Sequence, residues 1–435
     1  MSNRTLIQEV RGRRVWDSRG RPTVEAEIVL TDGSRGRAIA PAGASTGSAE
    51  ALDRRDGGSD FGGYDVRQAV EAVDHALGPA IGGQDATDQA LVDRALIDAD
   101  GTADKSRLGA NATIAVSMAV AHAAAAATEQ PLYRYLAGDR SLLLPLPEIQ
   151  IFGGGAHAGR RVDIQDFMVV CPGAESFSQA LDWTAEIYRS AGSLLEEAGR
   201  LAGVADEGGF WPAFDTNEQA LDMLVRAIEK AGYRPGDQVG IALDVAASEF
   251  GKDGRYRLAL EDRELDSAEL IELLKGWLGR YPILSIEDPL AEDDIDGFRM
   301  FTATFGEALQ IIGDDLLVTD AERVHRAAAL NAANALLVKP NQRGTLTETK
   351  AAFDAARIAG FDTVVSARSG ETEDVTIAHL AVGWNAGQLK VGSFARSERM
   401  AKWNEVLRIE EAVGDGGRFA GRSALRGGGL FSTSA

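Results

Sequence analysis

Ile283-Leu-Ser-Ile-Glu287 is a short apolar run that ends on a carboxylate, and the same design recurs along the second half of the chain. Ile241-Ala-Leu runs into Asp244, Leu309-Gln-Ile-Ile-Gly into Asp314, and Ala335-Leu-Leu-Val into Lys339. Thr363-Val-Val-Ser is followed closely by Arg368 and Ser369, and Lys390 sits inside Gly387-Gln-Leu-Lys-Val-Gly392. A further apolar run covers 163–170. Amphipathic helical patterns lie between most of these runs, at 178–201, 217–231, 267–278 and 346–358. Strands alternating with helices call for a parallel sheet, and so many over ~250 residues predict an α/β fold, a closed (β/α)8 TIM-like barrel. A doubly wound open sheet is the alternative, and the lack of a Gly-x-Gly-x-x-Gly opening a βα unit counts against it.

Upstream of the repeats, residues 1–135 predict a separate N-terminal α+β capping domain. Val24, Ala26, Ile28 and Leu30 alternate with their neighbours, and Thr31-Asp-Gly-Ser34 supplies the turn to a second extended segment at 36–40, a hairpin signal. A glycine-rich loop at 41–47 follows, then helical patterns at 66–77, 87–97 and 111–127. Two prolines in Leu142-Leu-Leu-Pro-Leu-Pro147 mark 136–147 as a linker. The barrel is then expected over 148–420, with a glycine-rich tail at 421–435 and a mobile end that includes 414–417 and 427–429.

The 435 residues hold 66 Asp and Glu against 45 Lys and Arg, a formal charge of −21. Such acidity argues against nucleic acid, whose binding runs on basic patches that neutralise phosphates. No apolar run approaches the ~18 residues of a membrane span, and the start lacks the apolar core of a signal peptide. The single cysteine, Cys171, fits a reducing compartment and predicts a cytoplasmic protein. Only eight residues are lysine, so Lys339 and Lys390 at strand ends stand out.

Chemistry in such a barrel gathers at the C-terminal ends of its strands. Three carboxylates there, Asp244, Glu287 and Asp314, would repel one another unless a cation lay between them. With oxygen donors alone on offer, the ion expected is a hard one such as Mg²⁺. Lys339, Lys390 and Arg368 add positive charge for an anionic substrate, and a lysine desolvated beside such an ion can have its pKa lowered enough to act as a general base. The predicted reaction is proton abstraction next to a carboxylate.

These residues belong to longer motifs. The chain resembles the enolase family from end to end, in Val15-Trp-Asp-Ser-Arg-Gly-Arg-Pro-Thr-Val-Glu25, Gly43-Ala-Ser-Thr-Gly47, Gly155-Ala-His-Ala158 and Asp206-Glu-Gly-Gly-Phe210. Asp244-Val-Ala-Ala-Ser-Glu-Phe250, Ser285-Ile-Glu-Asp-Pro-Leu-Ala-Glu-Asp-Asp294, Asn341-Gln-Arg-Gly-Thr-Leu-Thr-Glu348 and Arg368-Ser-Gly-Glu-Thr-Glu-Asp374 are similar matches. The resemblance implies that Asp244, Glu287 and Asp314 hold one Mg²⁺ and that Ser45 joins a second through its loop, with Gly43 and Ala44 beside the substrate. It implies Lys339 as the base at C2, Glu207 as the acid that expels the C3 hydroxyl, and Asp166 as a further catalytic carboxylate. Lys390 would meet the substrate carboxylate, Arg368 and Ser369 the phosphate, and His157 would close over it. A homodimer or higher homo-oligomer is implied as well.

The family pattern is also broken in places. Ala367 stands in Ser366-Ala-Arg-Ser-Gly-Glu371 where a catalytic histidine is expected. Ala42 replaces a serine, Gly153 an asparagine, and Asp166 a glutamate. Each change shortens a polar side chain, and the loss of one catalytic side chain commonly lowers a rate ~10²–10⁴-fold. Because the metal ligands and the base remain, the predicted activity is an altered one. Proton abstraction is kept while a widened leaving-group end admits a bulkier phosphorus substrate, as in the family branch that forms carboxyphosphonoenolpyruvate in phosphinothricin-type phosphonate biosynthesis. The alternatives are phosphopyruvate hydratase, which dehydrates 2-phosphoglycerate, and a catalytically inactive enolase-like binding protein.

Overall fold

The computed structural model describes residues 3–426, apart from the side chains of Asn3, His157 and Pro212. Residues 427–435 of the glycine-rich end lie outside the described residues.

The N-terminal unit opens with an antiparallel sheet of β1 (Ile7–Trp16), β2 (Pro22–Leu30) and β3 (Arg35–Ile39). Val24, Ala26, Ile28 and Leu30 are all buried, as the alternation requires, and the sheet packs on helix Ala110–Ala127. On length and composition that helix is long and apolar enough to cross a membrane, which corrects the expectation that no apolar stretch comes near that length. Here 83% of it is buried inside the protein. Its many alanines let β2 and β3 approach closely, so it is the core helix of the cap.

The barrel strands are β4 (Leu146–Gly153), β5 (Asp166–Val170), β6 (Gly240–Asp244), β7 (Ile283–Glu287), β8 (Gln310–Gly313), β9 (Ala335–Val338), β10 (Asp362–Ser366) and β11 (Gln388–Gly392). They neighbour one another in that order, and β11 closes onto β4. The expected architecture, a closed eight-stranded α/β barrel with an N-terminal cap, is therefore present. One strand departs from the expected parallel sheet: β5 runs antiparallel to both β4 and β6. All five of its residues are buried, and a run buried on both faces carries no mark of direction. The chain returns from β5 to β6 through helices Phe177–Glu197 and Asn217–Lys230, with a hairpin of Leu201–Val204 and Phe210–Pro212 between them.

Prolines mislead at the junction. Leu142–Leu144 pairs in parallel with Gly417–Phe419, and β4 already begins at Leu146, with Pro147 opposite Leu389. A proline is tolerated near a strand's start, where it removes little of the ladder. Part of the glycine-rich end is equally regular. Gly414–Gly416 forms a 3₁₀ turn, and Ala420, Ala424 and Leu425 pack against Leu146, Met168, Val170, Ala242 and Leu284. A three-stranded meander (Gly251–Lys252, Arg255–Leu258, Arg263–Asp266) has no counterpart among the expected elements, and helices Ile295–Phe305, Ala321–Leu330, Thr376–Gly383 and Ser397–Val413 lie outside the barrel strands.

Candidate active site

β6 ends on Asp244 and β7 on Glu287, which are register partners, and Asp314 directly follows β8. Parallel strands thus deliver three carboxylates to one rim. Asp166 joins them because β5 is reversed: its first residue lies beside Asp244. Lys390, from β11, donates to Glu287 Oε2 at 2.7 Å and Asp244 Oδ2 at 2.9 Å, and stands 3.7 Å from Asp166 Oδ2. Lys339 donates to Asp314 Oδ2. Two amides complete the arrangement, Gln342 Nε2 on Asp314 Oδ1 at 2.8 Å and Gln165 Nε2 on Asp244 Oδ2 at 3.0 Å.

The charges set one another. Burial, then repulsion from Asp244, pushes the Glu287 carboxyl well above the usual carboxylate range. Burial would do the same to Asp314, but the Lys339 ammonium outweighs it and holds Asp314 low. For the lysines burial favours the neutral form, yet Asp314 raises Lys339, and Asp244 with Glu287 holds Lys390 well above its ordinary value. Lys339 is thus a cation tied to Asp314, and it can accept a proton only once that carboxylate is otherwise engaged.

The donor set fits a hard divalent cation. Glu287 Oε1 is buried with no hydrogen-bond partner, and three buried carboxylates converge from adjacent strands, all of them oxygen donors. Asp288, Asp314 and Asp315 also bring one oxygen each within 4.8 Å of one another. Asp288 was not singled out from the sequence, although it directly follows Glu287. Its oxygens accept the backbone N–H groups of Asp314 at 3.0 Å and Asp315 at 2.7 Å, so it shapes the turn that presents Asp314.

Glu207 faces this cluster from the loop of the hairpin. Its carbonyl accepts from Ser393 N at 2.9 Å. Gln150 on β4 donates to Asp166 Oδ1 and accepts from Gly209 N at 2.8 Å, which joins Asp166 to the loop that carries Glu207. Arg368 is fully engaged between cap and barrel. Its Nη1 donates to Glu50 Oε2 at 2.9 Å and Asn341 Oδ1 at 3.0 Å, and its Nη2 to Glu50 Oε1 and the Ser45 carbonyl, both at 3.1 Å. A Cβ on Gly43 would fall 2.0 Å from Arg368 Nη2, so the guanidinium passes where only glycine leaves room. Ala44 is exposed on that loop. Ser45, Asp166, Glu207, Asp244, Lys339, Ala367, Arg368, Ser369 and Lys390 all line one narrow cavity. Glu287 and Asp314 meet its two lysines from behind. Gly155–Ala158 forms a 3₁₀ turn, but the side chain of His157 lies outside the described residues.

Family models for the enolase N-terminal domain and the enolase C-terminal TIM barrel domain match residues 7–136 and 141–427. The chain belongs to the enolase family. A protein named enolase from Acidothermus cellulolyticus is 50% identical over 420 residues, 97% of each chain. Membership places the chain among the lyases of the enolase superfamily. It also overturns the expected carboxyphosphonoenolpyruvate-forming activity and the phosphonate pathway with it, since a relative that is half identical over nearly its whole length is named enolase. The structure removes one support of that expectation too. Space beside Gly153 is not open: a Cβ there would lie 2.5 Å from Ala205 Cβ and 3.3 Å from Gln150 Nε2. The small residue is matched by filling around it, so the enolase pocket is not enlarged at this point.

Proposed function

We propose that the chain is a phosphopyruvate hydratase, a Mg²⁺-dependent enzyme that dehydrates 2-phosphoglycerate to phosphoenolpyruvate. One observation carries this reading. Two buried lysines share a cavity with Asp244 and Glu207, and Glu287 and Asp314 hold those lysines from behind, which supplies a base, an acid and an anion site around one small molecule. The half-identical relative named enolase supports it.

In this reading Lys339 Nζ removes the C2 proton of the substrate, and the Glu207 carboxyl gives a proton to the departing C3 hydroxyl. Lys390 orients the substrate carboxylate, and Arg368 with Ser369 meets the phosphate, with His157 as the closing residue of its rim loop. Asp166, tied through Gln150 to the loop that carries Glu207, would serve as a further carboxylate beside the acid. Asp244, Glu287 and Asp314 would hold one Mg²⁺ and the loop of Gly43, Ala44 and Ser45 would contribute to a second. When bound, such ions neutralise the dianion formed at the substrate carboxylate. Arg368 must loosen its hold on Glu50 and the Ser45 carbonyl to reach a phosphate, so substrate binding would move the 41–50 loop.

The test is direct. The purified chain with Mg²⁺ and 2-phosphoglycerate should produce phosphoenolpyruvate, seen as a rise in enol absorbance that EDTA abolishes. No product at any Mg²⁺ concentration would refute the reading.

A further inference from the structure

Barrel interiors are ordinarily filled by branched apolar side chains. Beneath the catalytic rim, this one holds a layer of polar groups. Ser285 Oγ donates to Gln310 Oε1 at 3.0 Å, Gln310 Nε2 to Gln388 Oε1 at 2.6 Å, and Gln388 Nε2 to Glu148 Oε2 at 3.2 Å. The chain of bonds stops there. Glu148 has no exposed surface, and its other oxygen, Oε1, has no hydrogen-bond partner.

Glu148 on β4 is the register partner of Lys390 on β11, so the two side chains leave the sheet on the same, inward face. Gln388 is two residues before Lys390 and shares that face. The charged groups facing Glu148 are Lys390 on β11, Asp244 on β6 and Asp166 on β5. Helix Phe177–Glu197 packs on β4 from outside and buries no charged residue against it. Lys390 is the one cation among these groups.

We propose that Glu148 is a positioning residue for Lys390: when charged it draws the ammonium down into the barrel, and when it carries a proton it releases the ammonium toward the anionic end of the substrate. Burial raises the Glu148 carboxyl to about 7, so both forms exist near neutrality. This inference rests on the role given above to Lys390. It makes the affinity for an anionic substrate fall as the pH rises through neutrality, because ionised Glu148 competes for the same ammonium.

Two measurements on the full chain test it. In steady-state kinetics with 2-phosphoglycerate, KM of the wild type should rise ~3- to 10-fold from pH 6 to pH 8. Glu148→Gln, which keeps the bond from Gln388, should flatten that rise with a smaller effect on kcat, and Glu148→Asp should restore it in part. Equal pH dependence of KM in wild type and Glu148→Gln would overturn the proposal. The second readout needs no turnover, so it survives failure of the proposed function. The infrared carbonyl band of a protonated carboxylic acid, absent from Glu148→Gln, should titrate near neutrality in the wild type. It should titrate at higher pH in Lys390→Met, which removes the cation. An unchanged midpoint in Lys390→Met would show that the two groups are not coupled and would sink the idea.

Discussion

Lys339 illustrates how much of the site a single position can reveal. An apolar run that stops on a lysine in a chain with only eight of them was enough to mark it, and the structure places it in the cavity with its ammonium on Asp314. Replacing it with alanine should lower kcat for 2-phosphoglycerate by at least ~10²–10⁴-fold; activity close to wild type in a stopped assay would mean that another group is the base. Ala367 gives the opposite case. Its backbone N–H donates to the Lys390 carbonyl at 2.9 Å and its methyl lines the cavity, so the position is held by the backbone whatever its side chain. With the proposed base, acid and cation ligands all present, Ala367→His should change kcat by less than ~10-fold, whereas a gain nearer the ~10²–10⁴ of a lost catalytic group would show that the missing histidine limits the rate. Residues that act through uncharged hydrogen bonds were not legible in advance. Gln150, Gln165 and Asn341 look like any other buried amides in the sequence, and Glu50 meets Arg368 across 318 positions of chain, where no local spacing can announce it.

Among elements, strand ends were legible because a polar residue breaks an apolar run, while strand direction was not. β5 shows why, since its residues would be buried in either orientation. The short connection between β4 and β5 carries its own constraint. Gly153 is packed against Ala205 so closely that Gly153→Asn, which restores the side chain the motif lacks, should cost ~1–3 kcal/mol in stability through overpacking. Ala205→Gly in the same chain should recover most of that loss. A double-mutant cycle by urea unfolding checks the pair, and simple additivity of the two changes would show that they do not share the space. Capping helps explain why several outer helices begin where they do: Asp320 accepts from Arg323 N and Thr345 from Glu348 N, each at the start of its helix.

For the whole molecule, two of the ties between cap and barrel run through buried acidic residues. One is the Arg368 bridge to Glu50. The other is Asp93, fully buried, whose oxygens accept from Ser117 Oγ at 2.6 Å in the cap and from Thr347 N at 2.8 Å in the barrel. A third contact responds to acid. His122 on cap helix Ala110–Ala127 lies edge-on to His379, 6.1 Å away, and Tyr133 stacks on His379. Burial, then the neighbouring His122, lowers His379 to about 4, so an unfolded chain binds protons below pH ~6.5 that the native one refuses. Stability is therefore untouched above that pH and falls, by on the order of 3 kcal/mol at most, as the pH drops toward 4. His379→Gln should narrow the gap in Tm between pH 7.5 and pH 5, and an unaltered gap in calorimetry would assign the acid sensitivity to other groups. The reversed strand has a last consequence, one of parity. A parallel barrel needs one helix per return, but a strand that runs the wrong way leaves the chain at the opposite mouth, so the return must cross the barrel's height an even number of times. Two helices do this here, and the bend between them has to fall at the rim. That bend is the hairpin that carries Glu207. A single inverted strand thus adds a loop to the working face that no regular barrel would possess, and the proposed acid stands on it.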